Sequence, residues 1–119
     1  MKKDRIGFKY ALEGFYTALI KEKNMKVHIL IMFIVLFTGI FLNISPIEWL
    51  FILLAIALVL SSELINTAVE LIVDELFPTI HERAKTIKDI SAASVLVSSV
   101  FAAIVGTIIF LPKIIHLFM

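Results

Sequence analysis

The fold is decided by the stretch SSELINTAVELIVD, residues 61–74, which follows directly on an apolar segment, residues 50–60. At about 100° per residue on a helix, four of its polar side chains fall within about 60° of one another. These are Glu63, Thr67, Glu70 and Asp74. The pattern predicts a membrane-spanning helix with one polar stripe at its end. Ionisable side chains in such helices usually face a protein interior or water and serve a function. The alternative is that the stripe is only a wetted helix face.

The composition indicates an integral membrane protein. Of the 119 residues, 61% are hydrophobic, against roughly 45–50% apolar residues in soluble domains. The mean hydropathy is +1.04. The length predicts a single membrane domain over residues 1–119. The net charge is only +1, so nucleic acid is not an expected partner, and the lack of cysteine excludes disulfides and thiolate metal sites.

Three apolar runs are long enough to cross a hydrocarbon core of ~30 Å as helices. They cover residues 27–44, 47–73 and 90–117. Residues 6–25 instead repeat apolar side chains at helical spacing between charges, which predicts an amphipathic helix on the membrane surface. We therefore expect an all-α membrane protein with one surface helix and three spanning helices, in which residues 75–90 form a hydrophilic loop.

The basic residues predict the orientation in the membrane. Seven of the eleven Lys and Arg precede the first span, none lies between the first two spans, and three lie in the 75–90 loop. By the positive-inside rule, the N-terminus and this loop face the cytoplasm. The basic N-terminal segment is also expected to contact anionic membrane lipids.

The other unusual polar residues are predicted at the same cytoplasmic level as the stripe. Glu22 and His28 lie where the surface helix meets the first span, and Lys88 and Asp89 lie just before the third. Carboxylates without cysteine suit Mg²⁺ or Mn²⁺ better than zinc, and Mg²⁺ often binds one or two carboxylates together with substrate phosphates. Lys88 would then supply a positive charge for phosphate oxygens.

Simpler interpretations exist for several of these residues. Lys88 followed by Asp89 is also typical of a snorkelling lysine beside a helix-capping acid. The three histidines are more often solvated than ligands. They are His28, His81 and His116.

Two other classes of protein compete with a phosphate-handling enzyme. A small cation channel or transporter would line its path with carboxylates, but here the acids occupy only one end of the spans, and a path needs polar groups throughout. A purely structural subunit would leave the clustered acids and lysine unexplained. The glycine-rich phosphate loop of soluble kinases is absent from the sequence.

These residues resemble the bacterial integral-membrane diacylglycerol kinase/undecaprenol kinase family. The likeness rests on ELINTAVELIVD (63–74), on the Lys-Asp pair at 88–89, and on AASVL (92–96), within a similarity that covers about residues 7–112. It implies a homotrimer in the bacterial inner membrane that transfers the γ-phosphate of ATP to a lipid hydroxyl, with Mg²⁺ as cofactor.

The resemblance also implies roles for single residues. Glu22 and Glu70 match the metal-binding glutamates of the family, and Glu63 matches its proposed general base. Three further residues match those that position the nucleotide and the transferring phosphate, namely Asn66, Lys88 and Asp89. Three others match residues that lie near the nucleotide, namely Tyr10, His81 and Glu82.

The acceptor is suggested by one local feature. The segment KNMKVH, residues 23–28, resembles the Gram-positive branch of the family, whose members mainly phosphorylate undecaprenol. We therefore expect undecaprenol as the acceptor, with diacylglycerol as the alternative.

Overall fold

Residues 7–119, which the computed structural model describes, form four helices connected by short segments. Helices α2, α3 and α4 are each long and apolar enough to cross a membrane. The prediction of an all-α protein with a surface helix and three membrane-spanning helices is therefore confirmed. Ile6, the predicted start of the surface helix, and the basic residues before it lie outside the described residues. The helices are α1 (Gly7–Lys21), α2 (Lys23–Phe41), α3 (Pro46–Leu76) and α4 (Glu82–Leu117).

The chain changes direction at Glu22. The surface helix ends at Lys21, not at Met25 as the periodicity predicted, because Glu22 has an extended backbone with φ −105° and ψ 119°. Its N–H still bonds the carbonyl of Ala18 at 2.9 Å, and α2 begins at the next residue. A single extended residue thus turns the chain from the membrane surface into the bilayer and leaves the Glu22 side chain free of any capping role.

The turn between α2 and α3 is encoded by a short polar sequence. Asn43 takes a left-handed conformation, φ 52°, which asparagine tolerates better than most residues. Ser45 and Glu48 then form a capping box, in which the Ser45 Oγ accepts from the Glu48 N–H at 3.2 Å and the Glu48 carboxylate accepts from the Ser45 N–H at 2.9 Å. Pro46 occupies the first helical position, where its missing N–H removes no hydrogen bond.

Helix α4 begins earlier than the sequence pattern predicted. Residues 82–89 were expected in the hydrophilic loop, yet they form the first turns of α4. His81 caps this helix, because its Nδ1 accepts a hydrogen bond from the Arg83 N–H at 3.0 Å. At 1.5 Å per residue, a helix of 36 residues is ~54 Å long and extends well beyond the hydrocarbon core. The apolar composition identifies the part of α4 that lies within lipid, whereas the His81 cap identifies the residue at which the helix begins.

Helix α3 is the central element. The most extensive packing is between α3 and α4, and α1 and α2 also pack on α3, whereas α2 and α4 scarcely touch each other. Most of the apolar surface faces outward, since only 11%, 28% and 17% of the most apolar windows of α2, α3 and α4 are buried. Such surface suits lipid or neighbouring protein. The buried core lies away from the polar stripe and consists of Ile44, Ile52, Ala55, Val105, Ile109 and Phe110.

We predict that Gly39→Ala destabilises the protein. A Cβ at Gly39 would lie 2.7 Å from the indole of Trp49, which packs across this glycine from α3. Overpacking of this kind costs ~1–3 kcal/mol, so the unfolding midpoint in detergent should fall. Gly14→Ala is the matched control: a Cβ there meets nothing within 4 Å, and alanine favours a helix by ~1 kcal/mol over glycine. An unchanged midpoint for Gly39→Ala would contradict the packing described.

Candidate functional site

The polar stripe of α3 is buried at one end and open at the other. Glu63 is only 1% exposed, and Asn66 and Thr67 are also buried. Glu70 is partly buried and Asp74 is exposed. Because the deeper half is covered by protein, the alternative of a wetted helix face is wrong for this half. The stripe therefore forms one wall of a site whose open end lies towards the end of α3.

Glu63 is a buried carboxylate without a hydrogen bond. Neither of its oxygens has a hydrogen-bond partner among the described residues. The Thr67 hydroxyl donates to the Glu63 main-chain carbonyl at 3.0 Å, not to the carboxylate. Among residues 7–119, a positively chargeable group approaches Glu63 from α2, where His28 Nε2 lies 3.4 Å from Glu63 Oε2. This pair is within ion-pair distance although its geometry does not meet that of a hydrogen bond.

Glu22 and Glu70 bring two carboxyl groups together at the open end. Burial is the largest cause that raises the pKa of the Glu22 carboxyl above its ordinary 4.5, followed by the negative charge of Glu70 and then that of Glu63. A hydrogen bond between Glu22 and Glu70 acts in the same direction. Asn66 Nδ2 also donates to Glu70 Oε1 at 3.2 Å. The bend at Glu22 thus places its carboxyl group against α3.

Lys88 completes this end of the site from α4. Its Nζ forms an ion pair with Asp74 Oδ1 and also interacts electrostatically with Glu70. Asp89 is in a different position, because it pairs with Lys85 one turn earlier on the same helix, at 2.6 Å. The structure therefore brings Lys88 to the stripe, whereas the contact it shows for Asp89 lies within α4.

The remaining predicted residues lie around this group. Tyr10 is partly buried on α1. His81 is exposed at the start of α4, where its ring lies 4.9 Å from that of Phe77 and tilted by 48°. Glu82 is exposed in the first turn of α4. His81 is thus a helix cap, which the sequence did not predict.

The site offers carboxyl oxygens as possible metal ligands and one positively charged side chain, that of Lys88. Among residues 7–119 there is no group of three or more His, Cys, Asp or Glu side chains arranged to hold a metal ion by themselves. The Glu22–Glu70 pair is instead suited to a hard cation that takes its remaining ligands from a phosphorylated substrate or water. An anionic substrate would also meet Lys88 there.

His28 is the residue that sequence reasoning undervalued. It was expected to be solvated, yet its side chain is only 18% exposed and lies beside Glu63. Its spacing carried a weak signal, since it is an ionisable residue in the second turn of an apolar helix. Nothing in the sequence alone, however, identifies the residue on α3 that it meets.

Comparison with known proteins gives a consistent family. The model of the prokaryotic diacylglycerol kinase family matches residues 9–110. An undecaprenol kinase of Bacillus subtilis is 39% identical over 106 residues, which cover 89% of this chain and 86% of the relative. A diacylglycerol kinase of Synechocystis is 33% identical over 113 residues, covering 94% of this chain and 65% of the relative. A diacylglycerol kinase of Haemophilus influenzae is 32% identical over 103 residues, covering 86% and 87%.

We predict that Glu22→Gln changes how stability depends on pH. Because the pKa of Glu22 is raised in the folded protein, the folded state keeps this proton to higher pH than the unfolded state. Stability therefore falls as pH rises from 4.5 through the raised pKa. The glutamine variant lacks this loss, so in metal-free detergent its unfolding midpoint should gain on that of the wild type as pH rises from 4.5.

The control for this experiment is Glu75→Gln, which removes the same charge from an exposed position at the end of α3. It should follow the wild-type pH profile. Parallel profiles for wild type and Glu22→Gln would contradict the raised pKa of Glu22.

Proposed function

Because the chain belongs to the prokaryotic diacylglycerol kinase family, we propose that it transfers the γ-phosphate of ATP to the hydroxyl of undecaprenol at the cytoplasmic face of the membrane. Family membership confirms the resemblance found in the sequence and makes the chain an enzyme, a lipid kinase in a membrane. It also decides against the cation channel and the structural subunit. The acceptor, the nucleotide, the metal and the orientation are the proposed parts.

The observation that carries the proposal is the state of Glu63. A carboxyl group that is 1% exposed and has no hydrogen-bond partner among the described residues is costly to bury, and such a group calls for an explanation such as a catalytic role. A general base needs such a free oxygen to accept a proton from the attacking hydroxyl. Glu63 lies seven residues before Glu70, ~10 Å along the helix, and thus deeper in the bilayer. An alcohol that arrives from lipid would meet Glu63 before it reached Glu22 and Glu70 at the open end of the site.

Mg²⁺ is the cofactor that the open end of the site fits. Burial and then the negative charge of Glu70 raise the pKa of Glu22. A divalent cation would offset the repulsion between the two groups, and both offer oxygen ligands. Glu22 and Glu70 would hold the ion together with phosphate oxygens of ATP. When bound, the ion supplies charge neutralisation for the phosphate groups.

The protein residues then divide the reaction between them. The acceptor oxygen attacks the γ-phosphorus and forms a new P–O bond, while the bond to the bridging oxygen of ADP breaks and the hydroxyl proton passes to Glu63. Lys88 lies near Glu70 and would stabilise the phosphate charge. Asn66 donates to Glu70 and would keep this carboxylate in position. Asp89 is proposed to act near the nucleotide on the resemblance alone.

The remaining nucleotide contacts are proposed on the same basis. Tyr10 on the surface helix and the His81–Glu82 pair at the start of α4 would lie near ATP. The distribution of basic residues supports a cytoplasmic N-terminus in the bacterial inner membrane, the side on which ATP is available.

Undecaprenol is proposed as the acceptor and a homotrimer as the assembly. The first is supported by the similarity to the Bacillus subtilis undecaprenol kinase and by the segment at residues 23–28, whereas the diacylglycerol kinases among the relatives support the alternative acceptor. The second is supported by the large outward-facing apolar surface of the spans, part of which neighbouring copies would cover.

We predict different kinetic defects for Glu63→Gln and Glu70→Gln. Loss of a general base should lower kcat by about 10²- to 10⁴-fold, with little change in the KM for Mg-ATP. Even outer-shell partners of a metal contribute about 10- to 100-fold in affinity, so Glu70→Gln should raise the Mg²⁺ concentration needed for half-maximal activity at least about tenfold. Glu75→Gln serves as the control and should behave as wild type.

These parameters are measured with purified protein and undecaprenol in detergent micelles. A titration of Mg-ATP gives kcat and the KM, and a titration of Mg²⁺ at saturating ATP gives the metal requirement. EDTA should abolish turnover of the wild type. Full activity without divalent metal would contradict the proposed cofactor, and wild-type kcat in Glu63→Gln would contradict the proposed base.

We predict that undecaprenol is a better substrate than diacylglycerol. The catalytic carboxylates need only a hydroxyl, so selectivity must come from the space around the headgroup, where an allylic alcohol and a glycerol diester differ in bulk. We expect kcat/KM to be about tenfold or more in favour of undecaprenol when both lipids are present at equal surface fraction. A clear preference for diacylglycerol would assign the chain to the alternative activity.

A further inference from the structure

Among the described residues, His28 is the one placed to orient the carboxyl group of Glu63. Asn66 Nδ2 is bonded to Glu70, and the Thr67 hydroxyl is bonded to the main chain. Among the described residues, His28 is the positively chargeable group within 4 Å of a Glu63 oxygen. An isolated buried carboxylate is free to rotate and is costly to desolvate, so its orientation depends on this imidazole.

His28 also borders a groove through which a lipid alcohol would approach Glu63. It is part of the wall of an apolar groove of about 580 Å³ that runs between α2 and α4 over α3. Near this end of the groove the wall is formed by aliphatic side chains such as Ile31, Val59 and Leu60. The imidazole thus stands between this apolar groove and the buried carboxyl group of Glu63.

Resting on the proposed kinase reaction, we infer that His28 is a positioning residue for phosphoryl transfer: its Nε2–H holds Glu63 Oε2, which leaves Oε1 for the acceptor hydroxyl. The distance of 3.4 Å is longer than that of a charge-assisted hydrogen bond, ~2.7–2.9 Å. Catalytic hydrogen bonds are often long before substrate binds and shorten in the complex. Once the hydroxyl proton has moved to Oε1, Glu63 is neutral and the bond to His28 weakens. No further proton transfer is required of the histidine.

The test compares two substitutions of the same residue. His28→Leu removes the donor and keeps an apolar side chain of moderate size, whereas His28→Gln keeps an N–H at the end of the side chain. A misplaced reacting group costs on the order of 10²-fold in rate, so we expect His28→Leu to lower kcat with undecaprenol by about 10- to 100-fold. His28→Gln should recover most of this loss, and the KM for Mg-ATP should stay within about twofold of wild type in both.

Two controls separate positioning from a general structural defect. His116→Leu makes the same change at the opposite end of the bundle, on α4, and should leave kcat unchanged. In a Glu63→Gln background, His28→Leu should cause little further loss, because the two residues act as a unit. Unfolding midpoints in detergent show whether each variant is folded. If His28→Leu does not fold, His28→Gln still tests the inference.

Three results would overturn the inference: wild-type kcat in His28→Leu, an equal loss in His28→Gln and His28→Leu, or a loss that is as large in the Glu63→Gln background as in wild type. Failure of the proposed function looks different. In that case the wild-type protein itself would phosphorylate neither undecaprenol nor diacylglycerol.

Discussion

The structure depends on one costly arrangement, a carboxylate buried at the end of a membrane-spanning helix. Glu63 has little contact with water and no hydrogen-bond partner among residues 7–119, and a polar group buried in this way is costly unless other parts of the protein compensate for it. Compensation must come from outside α3, because the main-chain groups of a helix interior are already bonded to each other. The group placed to meet this requirement is on α2, where His28 Nε2 lies 3.4 Å from Glu63 Oε2.

The same stripe changes its chemistry along its length. At the deep end, protein and hydrocarbon exclude water, so a single charge interacts strongly with its neighbours. Towards the end of α3, Glu70 and Asp74 are more exposed than Glu63. Glu70 meets the carboxyl group of Glu22, and Asp74 forms an ion pair with Lys88. This end is more exposed, so its carboxyl groups would suit a cation from water, and Lys88 would suit the anionic groups that such a cation accompanies. In the proposed mechanism, this one helix would supply both the base on the lipid side and a carboxylate for a cation on the aqueous side.

The sequence predicted the elements and the stripe better than it predicted their contacts. Hydrophobic length identifies α2, α3 and α4 because lipid imposes it directly, and helical periodicity identifies the residues that share the face of Glu63. It did not reveal that α4 starts at Glu82, because a polar helix outside the membrane has the same composition as a loop. It also did not reveal the extended residue at Glu22, since one residue carries no periodicity. The approach of His28 to Glu63 is a contact between helices, and no spacing along one chain segment encodes it.

The absence of a glycine-rich loop from the sequence follows from where the site is built. Soluble nucleotide-binding folds cradle phosphates with free backbone N–H groups at loops and helix N-termini. In a membrane the backbone must satisfy its own hydrogen bonds, so spanning segments are helices with no N–H to spare. Phosphate charge at this interface must then be met by side chains and a cation. Phosphoryl transfer needs positioning and charge stabilisation more than covalent catalysis, and the ends of a few helices can supply both. In the proposed mechanism, the acid-rich stripe and the lysine at its open end would serve this purpose.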